Sequence, residues 1–239
     1  MGFSYYVVSP LMNHGLYAEG YGLRLRPVRM EDAGFIVWLE HSRHAKGKRS
    51  DSPADVESEQ AWLKEYFDRA GDYYFMIQTL SGMPVGTLGL YNLAGTVAEA
   101  GRWVIRPGVP AAVPSAMLGC LIALEMMGLS HVCCRVAATE QAVLSLAHRL
   151  GFHLSRIELA ALPGTGKPVD LVHLVYSAPD WPACRPGLLA AARVSEKRIR
   201  EWERAQAPAT PAPELSSSAV LAAWPEYSGG GAVCVSQRS

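Results

Sequence analysis

The sequence predicts an α/β fold of the α+β kind: a mixed, mostly antiparallel central sheet of about six to seven strands with helices on both faces. Three observations predict it. The elements read β-α-α-β-β-β-α-β-α-β-β between residues 21 and 177. Three consecutive strand signals from Asp72 to Ile105 are separated only by short turns, as an antiparallel meander requires. One later strand–helix–strand passage has a connection long enough for a parallel crossover, and that combination gives a mixed sheet covered on both sides. With 49% hydrophobic and 18% charged residues among 239, the chain can build a sizeable core, as one large domain or a domain with appendages.

Residues 1–20 are aromatic and Gly-rich without a clear period and read as an N-terminal extension. Residues 21–27 (YGLRLRP) alternate Leu23 and Leu25 with Arg24 and Arg26, the pattern of a half-buried strand. Residues 30–41 place acids in a first turn and apolar Ala33, Ile36 and Val37 behind them, a helix start. A second helix is predicted over 52–71, capped by Ser52, with Pro53 at its first position, Val56, Leu63 and Phe67 on one face, and Gly71 ending it. Strands follow at 72–80, 83–92 and 94–105. Gly86, Gly89 and Gly101 inside them mark a bulge or the close approach of another backbone or a ligand. Residues 104–128 (VIRPGVPAAVPSAMLGCLIALEMMG) then stop a strand, run through a Gly/Pro/Ala loop and enter a helix with almost no polar face. That design serves either a buried connection or a cradle for a phosphate-bearing ligand. A strand at 131–138, a helix at 140–151 closed by Gly151, and strands at 152–160 and 169–177 complete the domain of residues 21–179. Residues 180–204 form a C-terminal helix with a stripe of Leu188, Ala192, Ile199 and Trp202, and the Ala/Pro/Ser/Gly-rich stretch 205–239 reads as a disordered tail.

Charge narrows the function classes. Lys plus Arg equals Asp plus Glu, 22 each, so the total shows no nucleic-acid footprint, and the basic run Arg43–Arg49 reads as a solvated loop. The apolar stretch Met117–Leu129 is too short for a bilayer and carries Glu125, and the N-terminus lacks the pattern of a signal peptide, so no membrane partner is expected. The five cysteines form no C-x-x-C pair and read as reduced, buried small hydrophobes of a cytoplasmic protein. His131, His148, His153 and His173 are not at ligand spacing, so no metal is expected. The GTGK string at 164–167 lies between strands and lacks the Ser/Thr of a P-loop, which makes it a turn.

Several strings together resemble the GNAT superfamily of acyl-CoA-dependent N-acyltransferases, in particular the ribosomal-protein and amino-sugar acetyltransferases. LRLRPVRMEDA (23–33) is similar to the family's opening strand-to-helix signature, AEAGRWV (98–104) to its central strand and LGF (150–152) to its closing string. The family's phosphate loop has the frame Gln/Arg-x-x-Gly-x-Gly/Ala. Here Arg106 and Ala111 match it, while the glycine is displaced to Gly108. The family's Asn before the last helix is Glu140 here. Its Tyr proton donor is replaced by Ala147, with His148 beside it.

The resemblance implies a GNAT-like fold, acetyl-CoA as co-substrate and a small-molecule amine acceptor, with a homodimer by family habit. It places the diphosphate on main-chain amides between Arg106 and Ser115, where Gly108, Val109, Ala111, Ala112 and Ser115 allow close approach and a helix N-terminus attracts the anion. Pro110 and Pro114 each remove a donor. Arg106 is expected to add a charge contact, and an N–H near Val104 or Ile105 to polarise the thioester carbonyl. Glu99 is the candidate base for the amine proton, or else a sheet-edge carboxylate in a salt bridge. Tyr91 either donates to the leaving thiolate or packs. His148 either replaces the missing tyrosine or sits on a helix surface. His41 and His44 fall in a loop where the family shapes its acceptor pocket. The expected acceptor is an amino sugar or sugar nucleotide. A protein N-terminal amine and a catalytically degenerate binding module are the alternatives.

Overall fold

The computed structural model describes residues 14–44, 55–161 and 168–206. It starts the sheet inside the stretch read as an N-terminal extension: Ala18–Gly20 (β1) pairs antiparallel with Leu23–Pro27 (β2). Tyr21 and Gly22 between them both have positive φ, 54° and 81°, as the favoured two-residue hairpin turn demands. This is an eighth strand beyond the six to seven expected. Three residues are too few to show a period, which is why it escaped the sequence pattern.

In β2, Leu23 and Leu25 are fully buried, and Arg26 reaches forward to Asp32 with two bonds of 2.7 Å. Asp32 also accepts from the Arg29 amide, which starts a short 3-10 turn leading into Ala33–His44 (α1). The helix runs through His41 to His44, where a loop was expected. The side chains of His41 and Ser42 bond back to the carbonyls of Val37 and Trp38. The next helix, Val56–Phe67 (α2), is capped by Asp55, which accepts from the Ser58 amide at 2.8 Å. Ser52 and Pro53, the expected cap and first residue, lie outside the described residues, as do 45–51, the GTGK turn and the tail beyond 206.

Tyr73–Thr79 (β3), Pro84–Ala94 (β4) and Val97–Ile105 (β5) form the antiparallel meander. Ala112–Cys120 (α3) continues into a wider π-helical turn, Leu121–Met126. His131–Ala137 (β6), Gln141–Leu150 (α4), His153–Ala161 (β7), Val169–Ser177 (β8) and Trp181–Ala205 (α5) follow. The sheet order is β1-β2-β3-β4-β5-β6-β8-β7, with β5–β6 parallel and every other pair antiparallel. Helices cover both faces. α3, α4 and α5 close one core around Leu88, Leu118, Ile122 and Tyr176, while α1 and α2 close a second around Ile36, Leu63, Tyr74 and Val104. α3 lies tight on the sheet: a Cβ at Gly119 would stand 2.8 Å from the Leu88 side chain.

Candidate active site

The sheet is open at its centre. β5 pairs with β6 only at Val97, Ala98 and Glu99, and from Ala100 onward the two parallel strands part. The cause lies in β5. Opposite β4, Gly89 faces Gly101 and Thr87 faces Val104, so β5 carries one extra residue there, a β-bulge that bends the strand. Arg102 takes the extra position with φ 47°. Across from it, a Cβ at Gly89 would lie 3.3 Å from the Arg102 side chain, and one at Gly86 only 2.4 Å from the Val104 carbonyl oxygen. Those two glycines mark the bulge and the backbone approach that the sequence suggested.

Beyond the bulge β5 stays bonded to β4, and the Arg106 amide donates to the Val85 carbonyl at 2.8 Å. Backbone groups alternate sides along a strand. The Trp103 and Ile105 amides therefore face the open edge and the Val104 amide faces β4, so of the two predicted donors Ile105 has the right direction. Below this edge, between the sheet and helices α3 and α4, lies a narrow apolar cleft lined by Leu90, Gly101, Trp103, Ala116, Cys120, Val132 and Ala147 among others. Burial pushes the Cys120 thiol up to about 12, so it serves there as an inert apolar wall. Cys134 is also buried, but Cys133 and Cys184 are only half-buried, less than expected.

The start of α3 closes one end of the gap. Arg106–Val109 is a turn with Pro107 second and Gly108 third at φ 82°, closed by the Val109 amide on the Arg106 carbonyl, a type II arrangement. The displaced glycine thus shapes the turn. Ala111 caps α3 without any side-chain bond, so the helix start offers the Ala112 and Val113 amides, which have no helical carbonyl one turn back. This narrows the expected grip. The amides of Arg106, Val109 and Ser115 are occupied, the last by the Ala111 carbonyl. The Ser115 hydroxyl is fully buried between Trp103 Nε1 and the Ala112 carbonyl, and the Val109 and Ala111 side chains also point inward. Arg106 is stacked, with its guanidinium carbon 5.5 Å from the Trp38 ring centre and 5.2 Å from that of Trp202 in α5, and burial lowers its pKa. Glu140 sits at the N-cap of α4 without a capping side-chain bond.

On the opposite face of the same gap is a polar cavity lined by Asn92, Glu99, Cys133, Arg135, Ser155, Arg156 and His173. Glu99 accepts two bonds from Arg135, at 2.9 and 3.2 Å, one from Asn92 at 3.1 Å and one from Tyr91 at 3.3 Å. His173 bonds Glu158 at 2.8 Å. Tyr91 is buried, its ring under the Arg102 guanidinium at 4.5 Å. The structure therefore brings Glu99 and Tyr91 together but leaves His148 apart. His148 is exposed on α4 beside Arg149, while its neighbour Ala147 faces the cleft, so its place fits a helix surface and not a proton donor. His41 lies on α1, folded back on Val37, and not in a pocket loop. Sequence reasoning missed Trp103, which walls the cleft and orients Ser115, and the pairing of Arg135 with Glu99. A basic residue on the strand parallel to Glu99 was the signal available. Among the described residues no cluster of three potential metal ligands occurs, and no helix is long and apolar enough to cross a membrane.

The site thus combines a split sheet with an open strand edge, a helix start at one end of the split and an apolar cleft beneath it. A model of the acetyltransferase (GNAT) domain matches residues 22–153, more than half of the chain. No curated protein sequence matches. Among solved structures, FdhC, a nucleotide-linked sugar GNAT in its apo form, aligns with TM-score 0.62 at 21% identity over 74% of this chain and 97% of its own. A GCN5-related N-acetyltransferase from Brucella melitensis aligns with TM-score 0.61 at 20% identity, covering 73% and 84%. A variant of the spermidine N-acetyltransferase SpeG from Vibrio cholerae aligns with TM-score 0.60 at 14% identity, covering 68% and 97%. The chain belongs to the GNAT acetyltransferase family, whose members are acyl-CoA-dependent N-acyltransferases.

Proposed function

We propose that the protein moves an acetyl group from acetyl-CoA to the primary amine of a small acceptor, and that the acceptor is an amino sugar or a sugar nucleotide. The observation that carries this reading is the gap beside β5, with open-edge amides above an apolar cleft and an uncapped helix start at its end. These residues fit acetyl-CoA, which when bound supplies a thioester carbonyl for the amine to attack. The Ala112 and Val113 amides hold its diphosphate. The Gly108 turn lets the phosphates approach, the edge of β5 holds the pantetheine arm, and the Ile105 amide donates to the carbonyl oxygen. Residues 21–179, extended by β1 and closed by α5, form the catalytic unit.

The acceptor enters from the polar cavity on the other face. Two guanidiniums, one carboxylate, an amide, a hydroxyl and an imidazole line it. That set matches the hydroxyls and anionic groups of a sugar or sugar nucleotide. Arg135 pairs with Glu99 and Arg156 with Glu158 at 3.7 Å, so a polycation such as spermidine would meet two acids that already hold two arginines. Glu99, the acid among these lining residues, accepts the amine proton through a relay of water, because it precedes Ile105 by six residues on β5, roughly 20 Å along the strand. Its bidentate bond to Arg135 favours a second reading, in which Glu99 and Arg135 only position the acceptor.

The test is a melting shift with acetyl-CoA followed by thiol release with a panel of amines. We expect a shift at sub-millimolar acetyl-CoA and turnover with an amino-sugar acceptor above that with spermidine. No shift at millimolar acetyl-CoA overturns the enzyme reading in favour of a binding module, and faster turnover with spermidine overturns the acceptor class. Glu99→Gln with undiminished kcat at neutral pH removes the base role and leaves the positioning one.

A further inference from the structure

We propose that Arg102 is a positioning residue: clamped by Asp72 and stacked on Trp62, Tyr74 and Tyr91, it holds the bulge of β5 and so keeps the sheet split where the acyl donor lies. This rests on the acetyltransferase reading for its effect on catalysis but on geometry alone for its effect on the strand.

Four observations converge on one side chain. Arg102 is the residue with positive φ at the extra position of β5, a backbone state that a non-glycine residue keeps only when its surroundings over-determine it. Its guanidinium donates to both oxygens of Asp72, at 2.5 and 2.8 Å, with the two side chains 7% and 11% exposed. A planar fork on a carboxylate fixes direction as well as distance. Three aromatic rings surround the guanidinium, with centres at 5.2 Å for Trp62, 5.3 Å for Tyr74 and 4.5 Å for Tyr91. The Arg102 carbonyl accepts from the Thr87 hydroxyl at 2.8 Å, which pins the main chain of the bulge to β4.

Each partner sits on a different element. Trp62 belongs to α2, Asp72 precedes β3, Tyr74 is on β3 and Tyr91 on β4. The clamp therefore ties the bulge to the α1–α2 side of the sheet, away from β6. Three residues later in the strand, the Ile105 amide meets the open edge. A regular β5 would carry no extra residue, and every backbone group after position 102 would turn to the other side. Relaxing the bulge would move the Ile105 amide off the gap without touching the Ala112 and Val113 amides of α3. The clamp thus bears on the reacting end of the site and leaves the diphosphate end alone.

That separation supplies the test. Arg102→Gly removes the clamp but tolerates the positive φ, and Arg102→Lys keeps the charge with a single bond to Asp72. For each full-length protein, kcat and KM, the Kd for CoA by calorimetry and amide hydrogen exchange of segment 100–105 are measured. We expect Arg102→Gly to lower kcat at least tenfold with the CoA Kd within threefold of wild type, and to speed exchange in segment 100–105 at least tenfold while α4 stays protected. Arg102→Lys recovers part of both. Unchanged kcat and unchanged exchange in Arg102→Gly overturn the clamp, as does faster exchange spread equally over α4, which marks a merely structural residue. If the wild type itself turns over no amine, the acetyltransferase reading fails, and the exchange measurement still decides the clamp.

Discussion

Two arginines bracket the three residues that border the gap, and they are held in opposite ways. Arg102 is buried, forked onto a carboxylate and ringed by aromatics on the α2, β3 and β4 side. Arg106 is half-buried and lies between two indoles, Trp38 from α1 and Trp202 from α5, near the far end of the described chain. The first cation is fixed in direction by a bidentate bond inside the core. The second is held by stacking, which tolerates sliding and partial exposure. The contrast predicts a strand held more firmly where it splits than where it feeds the phosphate turn.

The largest effect that would separate the two follows from Asp72→Asn. It leaves the Arg102 charge buried without its counter-charge, and breaking such a pair costs roughly 3–5 kcal/mol. Urea unfolding should show that loss. A loss below about 1 kcal/mol would place Arg102 in the same class as Arg106 and erase the contrast.

The back of the clamp gives a second measurement. His14 Nε2 bonds the Tyr74 carbonyl at 3.2 Å, and the ring packs on Phe75 and Tyr73 with centres 4.6 and 5.3 Å away. Burial lowers its pKa from 6.5 to about 4, against smaller raising effects from the Tyr74 carbonyl and the Asp72 charge. The sign follows directly. Above pH 6.5 His14 is neutral folded and unfolded, and it contributes no pH dependence. Between 6.5 and 4 the unfolded chain takes up a proton that the folded chain refuses, so stability falls with falling pH, by up to about 3 kcal/mol, and levels off below 4. His14→Phe should remove that part of the acid slope in urea midpoints taken from pH 7.5 to 4.5. Equal slopes in the two proteins would show that His14 charges in place and that this wall of the clamp is wet.

How much of this was legible in the sequence depends on the range of the cause. The strand Leu23–Pro27, the meander and the crossover are local patterns of period and turn chemistry, and each appears within a residue or two of its expected bounds at most ends. The exceptions are also local in origin. Asp55 caps α2 in place of Ser52, and His41 and Ser42 extend α1 by bonding its own carbonyls. The gap strand was visible as AEAGRWV. The bulge was only half visible: Gly86 and Gly89 announced close approach, but an arginine gives no local hint of positive φ. That conformation is imposed by Asp72, thirty positions away. The inward turn of the Ser115 hydroxyl depends likewise on Trp103, and the stacking of Arg106 on helices from both ends of the domain. Composition places such residues in a loop or strand. Only tertiary packing says which way they face.

The smallest expected effect tests the softer arginine. Trp202 is partly buried on α5, packed against the core that α3 shares, and its ring is one of the two plates on Arg106. Trp202→Ala removes one stacking partner at a half-exposed site, a loss of about 1 kcal/mol in stability plus whatever apolar contact the indole makes. Its effect on ligand should be more telling. Arg106 opens the turn whose Val109 amide closes back on it, and that turn leads into the start of α3. Loosening it should weaken the diphosphate end, raising the CoA Kd three- to tenfold while kcat at saturating acetyl-CoA stays near wild type. This is the reverse of the pattern expected for Arg102→Gly, which lowers kcat and spares Kd. A Trp202→Ala protein with unchanged CoA affinity and reduced kcat would show that both arginines serve the reacting end, and that the phosphate turn holds its shape without α5.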